Sequence, residues 1–345
     1  MLSGSGTTIV LPNVSADTTM LLEGFTGILL STSGSTGTPK TVMLSREALL
    51  AGVRISKARI GSGSWVNPLS PLCVAGIMTR VRALVSSHSH MDVSPHLDDL
   101  PAGKPGTYAS LVPTQLYRGL TDPRTCRKLA TYEAILVGGS LLDPAVYRQA
   151  HEKGVPVVYA YGLSETCGGV VYDGIPLDTV EVTVDNSEDP KGGRIIISTP
   201  TVFDGYLADP VRTSEVLTNG RFFTSDRGRF IDGHLTLLGR IDEVVSSGGI
   251  NVDLADIQRL LDGFFPQAVA CFAVPDPMWG YTVLVASTGP TLDQILDRLA
   301  AHLESPARPR GILILDDLPY TSSGKIDRME LVKRWRQGGD RSSVA

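Results

Sequence analysis

Residues 31–40 read Ser-Thr-Ser-Gly-Ser-Thr-Gly-Thr-Pro-Lys. Three serines, three threonines and two glycines thus lead to a single cation, Lys40. Hydroxyls and the N–H groups of a flexible backbone can reach phosphate oxygens while the lysine neutralises their charge, so the segment suits a triphosphate. It is not a Walker A loop, because Pro39 precedes the lysine and Thr41 follows a different glycine spacing. A flexible linker shares this composition. The apolar run Ile28-Leu29-Leu30 directly before it and the Pro-Lys ending favour the phosphate reading. Two other constellations carry less. Gly162-Leu-Ser-Glu-Thr166 lacks the second glycine of a nucleophile elbow, which disfavours hydrolase chemistry at Ser164. His88, His90 and His96 lie within nine residues, but no cysteine or framing helix accompanies them, and they read as surface-loop histidines.

The elements that must position these residues alternate. Runs rich in Val and Ile at 134–138, 155–162 and 194–198 end in Gly, Ser or Thr and are separated by helical stretches, which predicts an α/β fold. Leu254, Ile257, Leu260, Leu261 and Phe264, and then Leu292, Ile295, Leu296, Leu299 and Leu303, recur at helical spacing. With the strand-like VACFAV, TVLVAS and GILILDD, they predict a small α+β unit of about 100 residues beginning at Asp242. The tail 338–345 reads as frayed. A length of 345 residues agrees with about two domains. Thirty-one basic against 36 acidic residues give a net charge of −5, which argues against nucleic acid as a partner. No apolar run reaches membrane length, and the first basic residue, Lys40, comes too late for a signal or transit peptide, so the expectation is a cytoplasmic protein without a membrane partner. Cys73, Cys126, Cys167 and Cys271 are spaced as free reduced thiols.

The segment 31–40 resembles the phosphate-loop signature of the acyl-adenylate-forming (AMP-binding) enzymes, the superfamily of acyl-CoA synthetases, adenylation domains and luciferases. Further segments resemble that family's elements in its order: VGGS at 137–140, YGLSETCGG at 161–169, FTSDRGRF at 223–230, LLGRIDEVVSSGGINV at 237–252 and PYTSSGKIDR at 319–328. The resemblance implies a large multi-sheet amino-terminal domain over 1–241, shortened before the phosphate loop, and a mobile α+β domain over 242–337. It also implies ATP, Mg²⁺ and coenzyme A as substrates and activating ion, with no tightly bound prosthetic group. Ser31, Thr32, Ser33, Gly34, Ser35, Thr36, Gly37 and Lys40 would meet the phosphates, Gly138, Gly139 and Ser140 the adenine, and Tyr161, Gly162 and Ser164 the rest of the nucleotide. Glu165 would hold the metal ion, whose preference is for hard oxygen ligands. Asp226 and Arg240 would take the ribose hydroxyls, as acceptor and forked donor. The resemblance makes Lys325 the cation that bridges the acid and the α-phosphate during adenylation. Asp242 would be the hinge, and Ser247, Gly248 and Gly249 would line the thiol's tunnel.

Within the family the chain is most similar to the short o-succinylbenzoate-CoA ligases of menaquinone biosynthesis, notably the actinobacterial type. The stretch 161–182 resembles theirs, and SPLCVAGIMTRVRALVS at 70–86 resembles their acyl-pocket helix. This implies a small-molecule carboxylic acid near Cys73, Gly76, Gly168 and Gly169, with Arg82 meeting its second carboxylate and Arg80 as the competitor for that role. Cys73 stands where the family often has an aromatic residue or His to gate the path to the thiol. The shortened amino terminus raises a homodimer as one way to complete the first sheet. Another aryl- or acyl-CoA ligase, or an enzyme loading a carrier protein, is the alternative. A catalytically silent nucleotide binder fits the retained charged residues less well.

Overall fold

The two apolar runs that end near glycine, Ala134–Gly138 and Val157–Leu163, lie side by side as parallel strands, with Ile135 opposite Val157 and Gly138 opposite Ala160. Thr107–Leu111, Ser64–Asn67 and His90–Asp92 continue the parallel array on one side, and Gly168–Tyr172 and Ile175–Pro176 fold back antiparallel on the other. Strands buried on both faces must be apolar throughout, and Ile135, Val137 and Ala109 are fully buried. Each such Ile or Val contributes about 1.5–3 kcal/mol, so the site rests on a stiff support. The polar loops therefore gather at the carboxyl ends of the parallel strands, the edge where open α/β sheets bind ligands.

This computed structural model describes residues 9–10, 25–32, 40–187, 192–321, 325–338 and 341–343. The chain divides into two units, residues 1–224 with 229–236, and residues 225–228 with 237–345. In the first, the hairpin Gly27–Thr32/Lys40–Ser45 forms a second sheet with Ile9–Val10 and Gly205–Tyr206. The helix Arg46–Ile60 follows that hairpin directly, and the Ser45 hydroxyl accepts the Ala48 N–H as its cap. A third sheet runs Glu181–Asp185, Gly193–Ser198, Arg221–Ile231, Leu217–Thr218, with His234–Arg240 paired to the long strand.

In the second unit, Ile250–Asp253, Val244–Ser247, Val269–Asp276, Gly280–Ser287 and Gly311–Ile314 make a sheet covered by the helices Leu254–Phe264, Leu292–Leu299 and Arg328–Arg336. The periodic residues Leu254, Ile257, Leu261, Leu292, Ile295 and Leu299 are buried, whereas Leu303 lies beyond its helix and only packs against the cluster. Two details differ from the sequence reading. The tail is not wholly frayed: Arg341–Ser343 pairs antiparallel with Gly311–Leu313, covering an otherwise open sheet edge. The units change over a few residues before Asp242: Arg227 bonds Asp253 at 3.0 Å and Gly239 abuts Ala255, tying the paired strands Arg221–Ile231 and His234–Arg240 at that end to the start of the helix Leu254–Phe264. Among the described residues no helix is long and apolar enough to cross a membrane.

Candidate active site

Glu165 sits in the single turn Ser164–Thr166 that joins the strand Val157–Leu163 to Gly168–Tyr172. The turn is built locally. The Thr166 hydroxyl accepts the Leu163 N–H at 2.9 Å and donates to the Gly168 carbonyl at 2.8 Å, and Cys167 takes a left-handed φ of 52° to reverse the chain. Gly162 is required by close approach, since a Cβ there would lie 1.9 Å from the Gly168 carbonyl oxygen. The Glu165 carbonyl also accepts the Phe203 N–H at 2.8 Å, which anchors the acid to the segment that continues to Tyr206.

Three polar groups then meet. Lys40 Nζ donates to Glu165 Oε1 at 2.7 Å and to the Tyr206 hydroxyl at 2.8 Å, and that hydroxyl donates to the same carboxylate oxygen at 2.8 Å. Lys40 arrives from the second sheet, where it faces Thr32 across the hairpin, and Tyr206 from the strand beside Val42. Burial pulls the Glu165 carboxyl upward, but the charge of Lys40 and the two hydrogen bonds outweigh it and hold the acid ionised, below its ordinary range. The same burial and the neighbouring carboxylate push the Tyr206 phenol well up, so it stays a donor. The arrangement stores a carboxylate and an ammonium at one strand end, an oxygen donor for a hard metal ion and a cation for phosphate. Among the described residues no group of three or more His, Cys, Asp or Glu gathers to hold a metal ion by protein ligands alone.

Sequence-expected neighbours fall on the same edge. Gly138, Gly139 and Ser140 close the adjacent strand, Tyr161 and Gly162 precede the Glu165 turn, and Gly168 and Gly169 open the returning strand. Ser31 and Thr32 end the first hairpin strand, with the Thr32 hydroxyl donating to the Lys40 carbonyl at 3.3 Å. Ser33, Gly34, Ser35, Thr36 and Gly37 lie outside the described residues.

The strand Ser64–Asn67 delivers the chain to a loop and the helix Val74–Val85, whose first residue is preceded by Cys73 acting as cap: its sulfur accepts the Gly76 N–H at 3.4 Å. Burial pushes the Cys73 thiol up, away from thiolate. On that helix Arg80 is exposed and paired with Asp92 at 2.6 Å, whereas Arg82 is only 7% exposed and lies 5.1 Å above the Trp65 ring. Among the described residues the buried Nε of Arg82 has no hydrogen-bond partner. The histidines are not all in surface loops: His90 lies in a strand, and its Nε2 is 3.1 Å from the Thr79 hydroxyl.

In the second unit Arg240 bonds Asp226 Oδ1 at 3.0 Å and Asp242 with two further bonds, so the two residues expected at the ribose stand together. Ser247 is buried and donates to the Pro306 carbonyl, while Gly248 and Gly249 follow it in a turn. Gly248 has a φ of 57°, and a Cβ there would strike the Trp279 ring at 2.8 Å. Lys325 is exposed at the carboxyl side of a turn closed by Thr321 N–H to the Lys325 carbonyl at 2.8 Å. Tyr206 is the residue that sequence reasoning missed. Its role depends on a two-residue strand pairing with Val42 and Met43, and no motif or spacing marks it.

Fold and site together define an adenylate-forming enzyme: the AMP-binding enzyme family matches residues 28–207, and the AMP-binding enzyme C-terminal domain matches 267–325. The chain belongs to the AMP-binding enzyme family. It is 35% identical to a probable 2-succinylbenzoate–CoA ligase of Mycobacterium tuberculosis over 91% of this chain and 85% of that protein. It is 29% identical to a 2-succinylbenzoate–CoA ligase of Enterococcus faecalis over 90% of this chain and 70% of that one. In fold it is similar to the o-succinylbenzoate coenzyme A synthetase (MenE) of Bacillus subtilis in complex with AMP, with a TM-score of 0.74, 22% identity and coverage of 88% and 68% of the two chains.

Proposed function

We propose that this chain is an ATP-dependent 2-succinylbenzoate–CoA ligase. The carboxylate of the succinyl arm attacks the α-phosphorus of ATP and pyrophosphate leaves, giving an acyl-adenylate. The thiol of coenzyme A then attacks the acyl carbon, loses its proton and expels AMP. The observation that carries this reading is the likeness, over nearly the whole chain, to a relative that bears that name, joined to a buried arginine suited to a second carboxylate. Lys40 and the hydroxyls of Ser31 and Thr32 meet phosphate oxygens in this reading, and Gly138–Ser140 border the base. Glu165 fits a magnesium ion, because it is an ionised oxygen donor standing beside the side chains of Lys40 and Tyr206. The ion, when bound, offsets charge on the phosphates. Asp226 and Arg240 take the ribose hydroxyls, and Lys325 stabilises the charge that develops during adenylation.

Substrate choice is supported by Arg82. A dicarboxylate that spends one carboxylate in the thioester buries the other, and an unpaired charge there is expensive. A guanidinium 7% exposed, stacked on Trp65 and with its Nε unsatisfied among the described residues, is suited to meet it with two parallel bonds. The second reading is another aryl-CoA ligase, favoured by 29% identity to an indoleacetate–CoA ligase of Aromatoleum aromaticum over 89% of this chain and 67% of that one. Pyrophosphate release with ATP and a panel of aromatic, fatty and amino acids, with and without coenzyme A, separates the two when products are weighed by mass spectrometry. Preference for 2-succinylbenzoate and a coenzyme A thioester supports the proposal; equal use of indoleacetate overturns it.

A further inference from the structure

Within the second unit, the turn Ile241–Glu243 and the element that carries Lys325 are far apart in sequence yet joined by one side chain. Arg328, three residues after Lys325, donates NH1 to Glu243 Oε1 at 2.7 Å and Nε to the Cys271 carbonyl at 3.0 Å. Cys271 is itself fully buried, in the buried first half of the strand Val269–Asp276, so one end of this bridge is fixed to the core and the other to the residue that follows Asp242. The Lys325 element is itself stiff at its root. Tyr320 bridges to Ile326, the Lys325 N–H donates to the Thr321 hydroxyl at 3.2 Å, and the Asp327 N–H donates to the Pro319 carbonyl at 2.9 Å. Asp327 then caps the helix Arg328–Arg336 by accepting the Glu330 N–H.

We infer that Arg328 is a positioning residue that fixes the direction in which Lys325 is carried, by locking the Lys325 element to Glu243 and to the Cys271 carbonyl as one rigid piece. The inference rests on the reading of Lys325 given above. A partly exposed ion pair of this kind adds little net stability, so its value here lies in orientation. A lysine ammonium on a four-carbon stem is a movable point charge, and electrostatic assistance falls quickly when the base of that stem is free to shift. With Glu243 bound into the piece, any rotation of the small unit is confined to Asp242 and the residues before it.

Arg328→Gln is compared with Lys325→Ala and with the double variant, each in the full chain, with 2-succinylbenzoate, ATP and coenzyme A as probes. Adenylation is read as pyrophosphate release, and transfer as thioester formed from supplied 2-succinylbenzoyl adenylate. The expected result is at least a tenfold fall in the adenylation kcat for Arg328→Gln, an unchanged KM for ATP, and transfer within twofold of wild type. On the Lys325→Ala background the same change should cost nothing more, because residues acting through one group are not additive. If Arg328→Gln damages both half-reactions equally, or adds its full loss to a crippled Lys325→Ala, the positioning role is overturned while the assignment of Lys325 stands. If Lys325→Ala leaves adenylation intact, the lysine's own assignment falls and the inference with it. Should Arg328→Gln lower the melting temperature too far to assay, Glu243→Ala removes the acceptor from the other side and must reproduce the adenylation-specific loss.

Discussion

Arg240 holds Asp242 with two parallel bonds, Nε to Oδ1 and NH2 to Oδ2, both 2.8 Å, although the residues are only two apart. The pair straddles Ile241 and so fixes the backbone at the place where a hinge is expected. Element-terminal residues absorb such rotations. Asp242→Pro fixes φ there, removes an amide donor and loses both bonds. The expected outcome is a protein in which adenylation and thioester transfer no longer change together, one falling at least tenfold relative to the other in separate assays. Unchanged rates for both would place the pivot elsewhere.

Lys325→Ala should cut pyrophosphate release by about 10²-fold or more, the scale of one oriented electrostatic donor. Transfer from a supplied adenylate should be spared, since phosphorus is no longer under attack. Single-turnover measurements of each half-reaction decide it; equal damage to both would contradict the division of labour.

Arg82→Ala should raise the KM for 2-succinylbenzoate and cost about 2–5 kcal/mol in kcat/KM, as expected when one partner of a buried charge pair is lost. The KM for ATP should barely move. Wild type should discriminate against the analogue without the aromatic carboxylate, and the variant should not. Arg80→Ala, which removes an exposed pair with Asp92, should leave that discrimination in place.

Glu165→Gln tests the charge stored beside Lys40. The folded carboxyl titrates below its ordinary value of 4.5, so its stabilising contribution is present above that value and is lost as pH falls through the lower folded one. Stranding Lys40 should destabilise by about 3 kcal/mol or more near neutrality. Thermal melts of both proteins should therefore differ most at pH 6–7, and the gap should narrow as pH falls below 4.5 and the wild-type acid becomes protonated. A gap independent of pH would mean that the pair contributes through shape alone.

Much of this was readable from sequence where local chemistry and packing coincide. Ala134–Gly138 is apolar because both its faces are covered, and Val157–Leu163, half-buried along most of its length, carries its glycine one residue from its end. The His90–Asp92 strand was not readable: three residues, two of them polar, carry no period, and only the neighbouring strand makes them a strand. Tyr206 escaped for the same reason, since its hydroxyl reaches Glu165 through a pairing with residues more than 160 positions earlier. In the sequence Arg82 ranks above Arg80 on the family resemblance alone; two helical positions apart means nearly opposite faces, and the packing chooses which is buried. The Arg328 bridge joins segments 85 positions apart, beyond any local pattern.

The two groups of candidate residues stand on different elements, which has a consequence for redesign. Glu165 comes from the turn after Val157–Leu163 and Lys40 and Tyr206 from the second sheet, while Cys73, Gly76 and Arg82 come from the loop and helix after Ser64–Asn67, and no side chain of that helix takes part in the Lys40 triangle. The sheet's register is held by backbone bonds that do not depend on what the loops carry. On the proposed function, residues 69–86 are the place to vary the acid without touching Lys40, Glu165 or Tyr206, provided a graft keeps Ile77, Met78 and Val81, which pack in one core with Leu44 and Tyr206, and a small residue at Gly76, where a Cβ would press on the Ser70 carbonyl at 2.2 Å.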